Sequence, residues 1–139
     1  MSIPAALRDL IDRRDKNRCV YCLTTEENCG LKMHADHIVP ETAGGPTTAE
    51  NLCLVCFSCN VYKGAKQTGV DPSTGEPVHL FHPLRQHWHD HFNWDESKTH
   101  IIGLTPSGRA TVMALQMNNP TVVYARHRWV SANWHPPAP

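Results

Sequence analysis

The chain has 139 residues and carries 13 lysines and arginines against 13 acidic residues, so its formal net charge at pH 7 is zero. This length suffices for one compact core, and no apolar run approaches the roughly 20 residues that cross a bilayer, so a membrane protein is not expected. A neutral chain also lacks the strongly basic balance of a non-specific nucleic-acid binder. Its charges are uneven, however, because residues 101–139 contain arginines and no carboxylate.

The first 18 residues predict a short amphipathic helix. Leu7, Leu10 and Ile11 recur at helical spacing, with charged residues between them. The basic residues that precede the first cysteine, Arg18 among them, form either an edge that faces nucleic acid or simply the solvated side of the helix. This segment has no apolar stretch typical of a signal peptide, so we expect a cytoplasmic location and no oxidising compartment.

Two Cys-x-x-Cys pairs follow, and they predict a structural zinc site. A tight knuckle of this spacing offers two thiolates to one tetrahedral zinc, and two knuckles supply four. Two disulfides are the alternative, which a reducing compartment disfavours. Cys29 and Cys53 are then left for packing, although Cys53 lies close enough to the second pair to compete as a ligand. The four predicted zinc ligands are Cys19, Cys22, Cys56 and Cys59.

The residues between and just after these pairs are of the types that phosphodiester hydrolysis needs. That reaction requires a base that deprotonates water, a cation that neutralises developing negative charge, and a group that holds the base in its working tautomer. Asp36, His37, Asn51 and Asn60 can supply those parts. His37 is the candidate base because imidazole titrates near neutral pH. Asp36 would point to the opposite face of an extended strand, so the two neighbours need not share one role.

The order of these motifs resembles a known family. Over residues 19–66 it reads Cys-x-x-Cys, Asp-His-Ile-Val-Pro, Gly-Gly, Asn-Leu, Cys-x-x-Cys-Asn-x-x-Lys, which is similar to the HNH endonucleases. The resemblance implies an α+β fold with a ββα-metal, treble-clef-like nuclease core, a hairpin followed by a helix, held by the four-cysteine zinc. It also implies a hydrolase that cuts DNA. About a third of the chain carries this resemblance.

The resemblance assigns a role to each motif residue. His37 becomes the general base, and Asn51 orients it by tying the intervening loop together. Asp36 and Asn60 become ligands of a catalytic Mg²⁺ or Mn²⁺, ions that favour hard oxygen donors. Many relatives carry histidine at the position of Asn60, so the chain resembles an HNN variant whose amide oxygen should disfavour softer ions. Glycines 44–45 are expected to let the chain turn with positive φ.

Basic residues around this core are candidates for contact with DNA phosphates. Lys63 and Lys66 lie on the helix predicted after the second cysteine pair, where a solvated helix face accounts for them almost as well. Arg18 is a third candidate. Arg126 and Arg128 are a minority hypothesis, because a helical pair that merely covers the zinc unit is the commoner arrangement.

Residues 67–139 are predicted to form an extension of this core. A turn-rich connection over residues 67–80 leads into a segment rich in histidine and tryptophan, residues 80–94. His87 and His91 would share a face if that segment were helical, so a second metal site is conceivable, but packing against the core is favoured.

The remainder of the extension predicts a hairpin and two short helices. Phe92–Trp94 and residues 100–104 are the expected arms of the hairpin. A turn is expected over residues 105–108, followed by a helix of about ten residues. Asn119 is the predicted N-cap of a second helix, with Pro120 at its first position.

Three classes of function remain open from the sequence. The first is a metal-dependent DNA endonuclease that leaves 5′-phosphate and 3′-hydroxyl ends. The second is a catalytically silent, zinc-stabilised nucleic-acid-binding module, which the intact set of motif residues disfavours. The third is a nuclease subunit that a protein or nucleoprotein partner directs to its target. The expected organisation is one domain over residues 1–139, with an N-terminal helix (1–18), the nuclease core (19–66) and the extension (67–139).

Overall fold

A computed structural model describes residues 3–138, which form six α-helices and six β-strands. The helices are α1 Ala5–Arg14, α2 Glu26–Cys29, α3 Phe57–Lys63, α4 Trp88–His91, α5 Pro106–Ala114 and α6 Pro120–Ser131. The strands are β1 His34–His37, β2 Leu52–Val55, β3 Thr68–Val70, β4 Pro77–His79, β5 Phe92–Trp94 and β6 Ile101–Gly103. The strands pair as three separate antiparallel hairpins, β1–β2, β3–β4 and β5–β6. This mixture confirms the expected α+β class.

The β1–β2 hairpin and α3 form the expected hairpin-then-helix unit. Asp36 pairs with Cys53 and His37 with Leu52. All four residues of β2 are buried, so this strand is enclosed on both faces and reads as a continuous apolar run. Helix α3 follows directly and packs against β1. The hairpin therefore presents its two motif residues on opposite faces, one of them towards α3.

Helix α1 covers the outer side of β2. Ile11 is fully buried, whereas Leu10 is 44 % exposed, so only part of the predicted apolar stripe faces the core. Just after the helix, the Asp15 carboxylate accepts a hydrogen bond from Leu54 N at 2.9 Å, and Val20 N donates to Leu54 O at 2.9 Å. These contacts satisfy backbone groups that a two-stranded sheet would otherwise leave open at its edge.

The stretch predicted only as a connection contains the β3–β4 hairpin. Asp71 shapes its turn, because its carboxylate accepts hydrogen bonds from Ser73 N at 2.9 Å and from the Arg109 guanidinium at 2.9 Å to each oxygen. Arg109 lies on α5, which packs against β3 and β4. The interpretation of residues 67–80 as a plain connection was therefore incomplete. An aspartate followed by Pro-Ser-Thr-Gly75 is a turn signal that could have revealed it.

The later part of the extension follows the sequence closely. Phe92 and Trp94 are buried on β5, and Trp94 pairs with Ile101 across the predicted hairpin. The turn expected over residues 105–108 is instead the first turn of α5, because the Thr105 hydroxyl accepts from Gly108 N and caps the helix. The predicted N-cap at Asn119 is confirmed: its side chain accepts from Val122 N at 3.1 Å.

One apolar cluster joins the nuclease-like core to the extension. The ring of Tyr21 packs edge-on against Phe81 at 6.5 Å, and Phe81 packs against Phe92 at 5.0 Å between centroids. Trp88 donates from its indole nitrogen to Tyr21 O at 2.7 Å. The histidine- and tryptophan-rich segment thus serves mainly to dock the extension on the core. Among the described helices, none has the length and apolar character needed to cross a membrane.

Candidate active site

Four cysteines converge where the two knuckles meet. Cys19 and Cys22 lie in a tight turn after α1, while Cys56 caps α3 and Cys59 sits in its first turn. The four sulfur atoms lie within 4.8 Å of one another, and Cys22 Sγ is 3.6 Å from Cys56 Sγ. Zinc–sulfur bonds of about 2.3 Å in a tetrahedron place the sulfurs about 3.8 Å apart. The cluster therefore fits one zinc ion held by four thiolates.

The pKa values of these thiols move in opposite directions because the four sulfur atoms share one small buried volume. Hydrogen bonds from the other three thiols, Cys19 first, hold the pKa of Cys22 well below its ordinary value. Burial raises the pKa of Cys19 well above it. Several thiolates cannot share so small a buried volume without a cation. Cys53 lies outside the cluster, fully buried across from Asp36, so it packs and does not compete as a ligand.

Arg126 is a buried neighbour of this cluster, which overturns its assignment as a DNA contact. Its side chain is fully buried, and its two terminal nitrogens donate to Thr99 O and Met117 O at 2.8 Å each. Its Nε has no hydrogen-bond partner among the described atoms. Its charge faces Cys22 and two further cysteines of the cluster. The sequence missed this because an arginine on a short helix is normally solvated.

Asp36 points from β1 towards α3. Its Oδ2 lies 2.8 Å from Lys63 Nζ, and the same ammonium group donates to His37 O at 3.2 Å. Lys63 is only 2 % exposed. The predicted contact between Lys63 and DNA phosphate is therefore wrong, because this lysine is an internal counter-ion of Asp36.

His37 lies on the opposite face of β1 and contacts the loop that follows. Its Nε2 is 3.0 Å from the Thr47 hydroxyl and 3.8 Å from a carboxylate oxygen of Glu41. The imidazole retains 14 % of its side-chain exposure, so it remains reachable from solvent. Neither Thr47 nor Glu41 was identified from the sequence. Their distance of ten and four residues from His37, within an irregular loop, gives no periodic signal.

Asn51 ties this loop together, as expected. Its side-chain oxygen accepts from Val39 N at 2.9 Å, and its amide donates to Val39 O at 3.0 Å and to Pro46 O at 2.9 Å. These bonds act on the loop backbone, so Asn51 supports His37 through the loop. Of the two glycines, only Gly44 has positive φ, at 86°. Gly45 is needed for close approach, since a Cβ there would lie 1.7 Å from Val39 O.

Asn60 lies on α3 three residues before Lys63 and is half-buried. Residues three apart share a helix face, and Lys63 faces Asp36, so Asn60 lies on the side of α3 that faces β1. Asp36 Oδ2 is buried and has no hydrogen-bond partner of suitable geometry among the described atoms. A buried carboxylate oxygen paired only with Lys63, together with an amide on the same side of α3, offers oxygen donors of the kind that a hard divalent cation such as Mg²⁺ or Mn²⁺ prefers.

Comparison with models of protein families shows whether this set of motif residues belongs to a known family. Residues 19–66 match the HNH endonuclease family model. The suspected resemblance is thereby confirmed for this segment, hereafter the HNH segment, and at the level of the family it indicates a nuclease. Comparison with curated proteins gives no match, and comparison with solved structures gives none either.

The remaining basic candidates lie around the HNH segment at different depths. Lys66 is exposed just after α3, with its ammonium group 2.9 Å from Tyr62 O. Arg18 is half-buried and donates to Ala138 O at 2.6 Å. Arg128 is exposed on α6 and stacks over the ring of Tyr124 at 4.9 Å. All three keep charge at or near the surface, unlike Lys63 and Arg126.

The second metal site considered at His87 and His91 receives no support. His91 Nδ1 is 2.7 Å from the Thr105 hydroxyl, and His87 precedes the single turn of α4. Within residues 3–138, the only group of three or more histidine, cysteine or acidic side chains close enough to share one ion is the four-cysteine cluster.

Proposed function

We propose that this chain is a metal-dependent DNA endonuclease that hydrolyses a phosphodiester bond and leaves 5′-phosphate and 3′-hydroxyl ends. The observation that carries the proposal is the buried Asp36 carboxylate oxygen facing α3, which accepts no hydrogen bond and has Lys63 as its counter-ion, within a segment that matches the HNH endonucleases. Asp36 and Asn60 would hold the catalytic Mg²⁺ or Mn²⁺. When bound, that ion supplies positive charge against the charge that builds on the phosphate and the leaving oxygen.

His37 takes the proton of the attacking water in this proposal. The Glu41 carboxylate and the Thr47 hydroxyl both lie near Nε2. A carboxylate favours a proton on the nitrogen it faces, so Nδ1 is the nitrogen left to accept the proton from water. Asn51 contributes by fixing the loop that carries Thr47, which keeps the imidazole from rotating.

Lys63 holds the Asp36 carboxylate in place through their 2.8 Å ion pair. Its ammonium group is itself held by His37 O, which links the carboxylate on one face of β1 to the backbone that carries the base. The exposed charges of Lys66, Arg18 and Arg128 are the candidates for contact with DNA phosphates.

The test is incubation of supercoiled plasmid at low salt with zinc-loaded protein and magnesium, manganese or no added ion. We expect nicked or linear plasmid only with a divalent ion, and loss of cutting by at least two orders of magnitude in His37→Ala, as for loss of a general base. His127→Ala is the matched control, because His127 is an exposed histidine on α6. Equal cutting by wild type and His37→Ala would remove His37 from the reaction.

The ends of the product test the proposed chemistry separately. Nicks that carry a 5′-phosphate and a 3′-hydroxyl are sealed by DNA ligase without further treatment. Nicks that require prior phosphorylation or removal of a 3′-phosphate would contradict attack by water with departure of the 3′-oxygen.

A nuclease subunit directed by a partner is the second candidate. The zero net charge favours it, because a neutral chain gains little affinity for DNA from electrostatics alone. Folded, zinc-loaded wild-type protein that cuts no plasmid at low salt would shift the weight to this candidate.

A further inference from the structure

A cleft of about 650 Å³ lies between the HNH segment and the extension, and no role has yet been assigned to it. One wall is the loop that Asn51 ties together, with Val39 and Pro46 in the lining. The other wall comes from the residues after α3 and around the β3–β4 hairpin. This volume lies within the range of pockets that bind one small ligand.

The cleft is connected to the candidate active site through Lys63, whereas Asp36 and His37 are not part of its lining. Lys63 belongs to its lining and is also the residue whose Nζ lies 2.8 Å from Asp36 Oδ2. Ile38, two residues after Asp36 on the same side of the chain, lines it too. A group bound in the cleft would therefore be a near neighbour of whatever reacts at Asp36.

The lining combines an apolar floor with a cationic rim. Tyr21, Leu80 and Phe81 form the buried floor, and each is less than a tenth exposed. Lys66 and Arg85 are basic residues exposed at the rim. An apolar surface next to two cations matches the two halves of a nucleotide, whose base is flat and weakly polar and whose phosphate is anionic.

Two further residues at the rim are ordered by hydrogen bonds that leave their side-chain N–H groups free to donate to a ligand. His82 Nδ1 accepts from Leu84 N and Arg85 N at 3.2 Å each, so the proton of the neutral ring is on Nε2. Burial and the charge of Arg85 lower the pKa of His82, which keeps it a neutral donor. Gln86 accepts from His82 N at 2.8 Å with its side-chain oxygen, which leaves its amide hydrogens as the donating end. The turn is thus ordered before any ligand arrives.

We propose that this cleft binds one nucleotide of the substrate strand next to the scissile phosphate, with the phosphate on Lys66 and Arg85 and the base over the apolar floor. The inference rests on the proposed function, since it makes the extension the part that positions the strand for the HNH segment. It also explains how a neutral chain can hold nucleic acid through a local positive rim.

Glu50 provides a variant for which the proposal predicts tighter binding where loss of a basic residue weakens it. It is an acidic residue of the same lining and is exposed. A bound phosphate is attracted by Lys66 and Arg85 and repelled by Glu50. Removing the lysine or the arginine should therefore weaken binding, and Glu50→Gln should strengthen it.

The experiment is fluorescence anisotropy with a labelled 12-nucleotide single strand and the same strand as a duplex, at several salt concentrations. The protein is the zinc-loaded full chain carrying His37→Ala, so that nothing is cut during the measurement. Loss of one phosphate contact lowers the salt slope by about 0.7 for the single strand and 0.9 for the duplex, which corresponds to binding about five- to eightfold weaker at 0.1 M salt. We expect that change for Lys66→Ala and for Arg85→Ala, and tighter binding for Glu50→Gln.

Lys98→Ala is the matched control, since Lys98 is an exposed lysine at the β5–β6 turn and is not part of the cleft. Unchanged thermal unfolding shows that each variant is folded. If Lys66→Ala and Arg85→Ala bind DNA as tightly as Lys98→Ala does, the proposed nucleotide site is wrong. This holds even if wild-type protein cuts plasmid. No binding at the lowest salt also overturns it. Cleft-dependent binding with no plasmid cutting would instead retain the nucleotide site and reject a nuclease that acts without a partner.

Discussion

The HNH segment and the extension are stabilised by different kinds of interaction. The HNH segment contains strands of four residues and a helix of seven, wrapped around four cysteines. Elements this short are marginal by themselves, because the cost of nucleating a helix is not recovered over two turns. The extension has longer helices, and buried aromatic and aliphatic side chains such as Phe92, Ile101 and Leu115 fill its interior.

The difference shows which part of the molecule can place side chains for reactivity at little cost in stability. A metal fixes the geometry of its ligands whatever apolar area surrounds them, so residues next to the cluster can be chosen for reactivity. Asp36, whose buried carboxylate oxygen is paired with Lys63, lies in the HNH segment with the four-cysteine cluster. The extension, held by apolar packing, is free to supply a shaped surface such as the cleft. The two parts should therefore respond differently to three perturbations.

Removal of zinc should have the largest effect. Structural zinc sites contribute on the order of 10–16 kcal/mol, as much as the whole stability of an ordinary domain. We expect Cys22→Ser, or chelation of zinc, to abolish hydrogen-exchange protection across residues 19–66 before the helices of the extension lose theirs. Mass spectrometry of amide exchange with peptide resolution measures this.

Cys29→Ser is the matched control for the zinc experiment. Cys29 is a partly exposed thiol outside the four-cysteine cluster. Its replacement should leave protection and zinc content unchanged. Simultaneous loss of protection in both regions after chelation would contradict the comparison, because the extension would then depend on the ion as strongly as the HNH segment does.

Arg126 connects the two regions, and its loss should have the next largest effect. Arg126→Met leaves two carbonyl groups without donors and removes a buried positive charge that faces the thiolates. We expect a cost of about 3–5 kcal/mol in the free energy of unfolding, as for other broken buried charge contacts, together with faster release of zinc to a colorimetric chelator. Denaturant unfolding and the release rate measure these two quantities.

Arg128→Met provides the comparison for Arg126→Met. Arg128 lies two residues along the same helix and is exposed over Tyr124. Its replacement should change the free energy of unfolding by less than about 1 kcal/mol and leave zinc release unaltered. Equal zinc-release rates in both variants would show that Arg126 stabilises only the extension and does not act on the cluster.

The structure of the HNH segment could be predicted from the sequence better than that of the extension, and the reason is physical. Metal ligands are constrained by spacing, so the two cysteine pairs followed from residue type, and the β1–β2–α3 order followed from the family resemblance. Burial depends on what packs above a residue. Lys63 and Arg126 were assigned to DNA because a cation on a helix is usually solvated, and nothing local reveals that it lies beneath another element.

The β3–β4 hairpin shows the second limit. Its strands have three residues each, and Gly69 and Pro77 are poor strand formers, so no alternation marks them. The contact that defines the hairpin is between Asp71 and Arg109, which are 38 residues apart. The loop partners of His37, Glu41 and Thr47, also could not be predicted from a local sequence pattern. Local pattern identifies the residues of a site, whereas its hydrogen-bonding partners come from the folded loop.

Lys63→Met should have the smallest effect of the three on stability and the most informative effect on the site. It leaves the Asp36 carboxylate without its counter-ion, and because Asp36 keeps 15 % of its side-chain exposure, solvent offsets part of the loss. We expect a cost of about 1–3 kcal/mol in the free energy of unfolding without added magnesium. Lys66→Met is the control, because Lys66 is an exposed lysine in the turn that follows α3.

The second substitution, Asp36→Asn, separates charge from packing. Without the carboxylate there is no uncompensated charge, so the double variant Lys63→Met/Asp36→Asn should recover most of what Lys63→Met loses. Magnesium should raise the melting temperature of Lys63→Met more than that of wild type, because a divalent cation then replaces the missing ammonium charge at Asp36. If the double variant is no more stable than Lys63→Met, the lysine acts through packing alone, and the charge balance inferred at Asp36 is wrong.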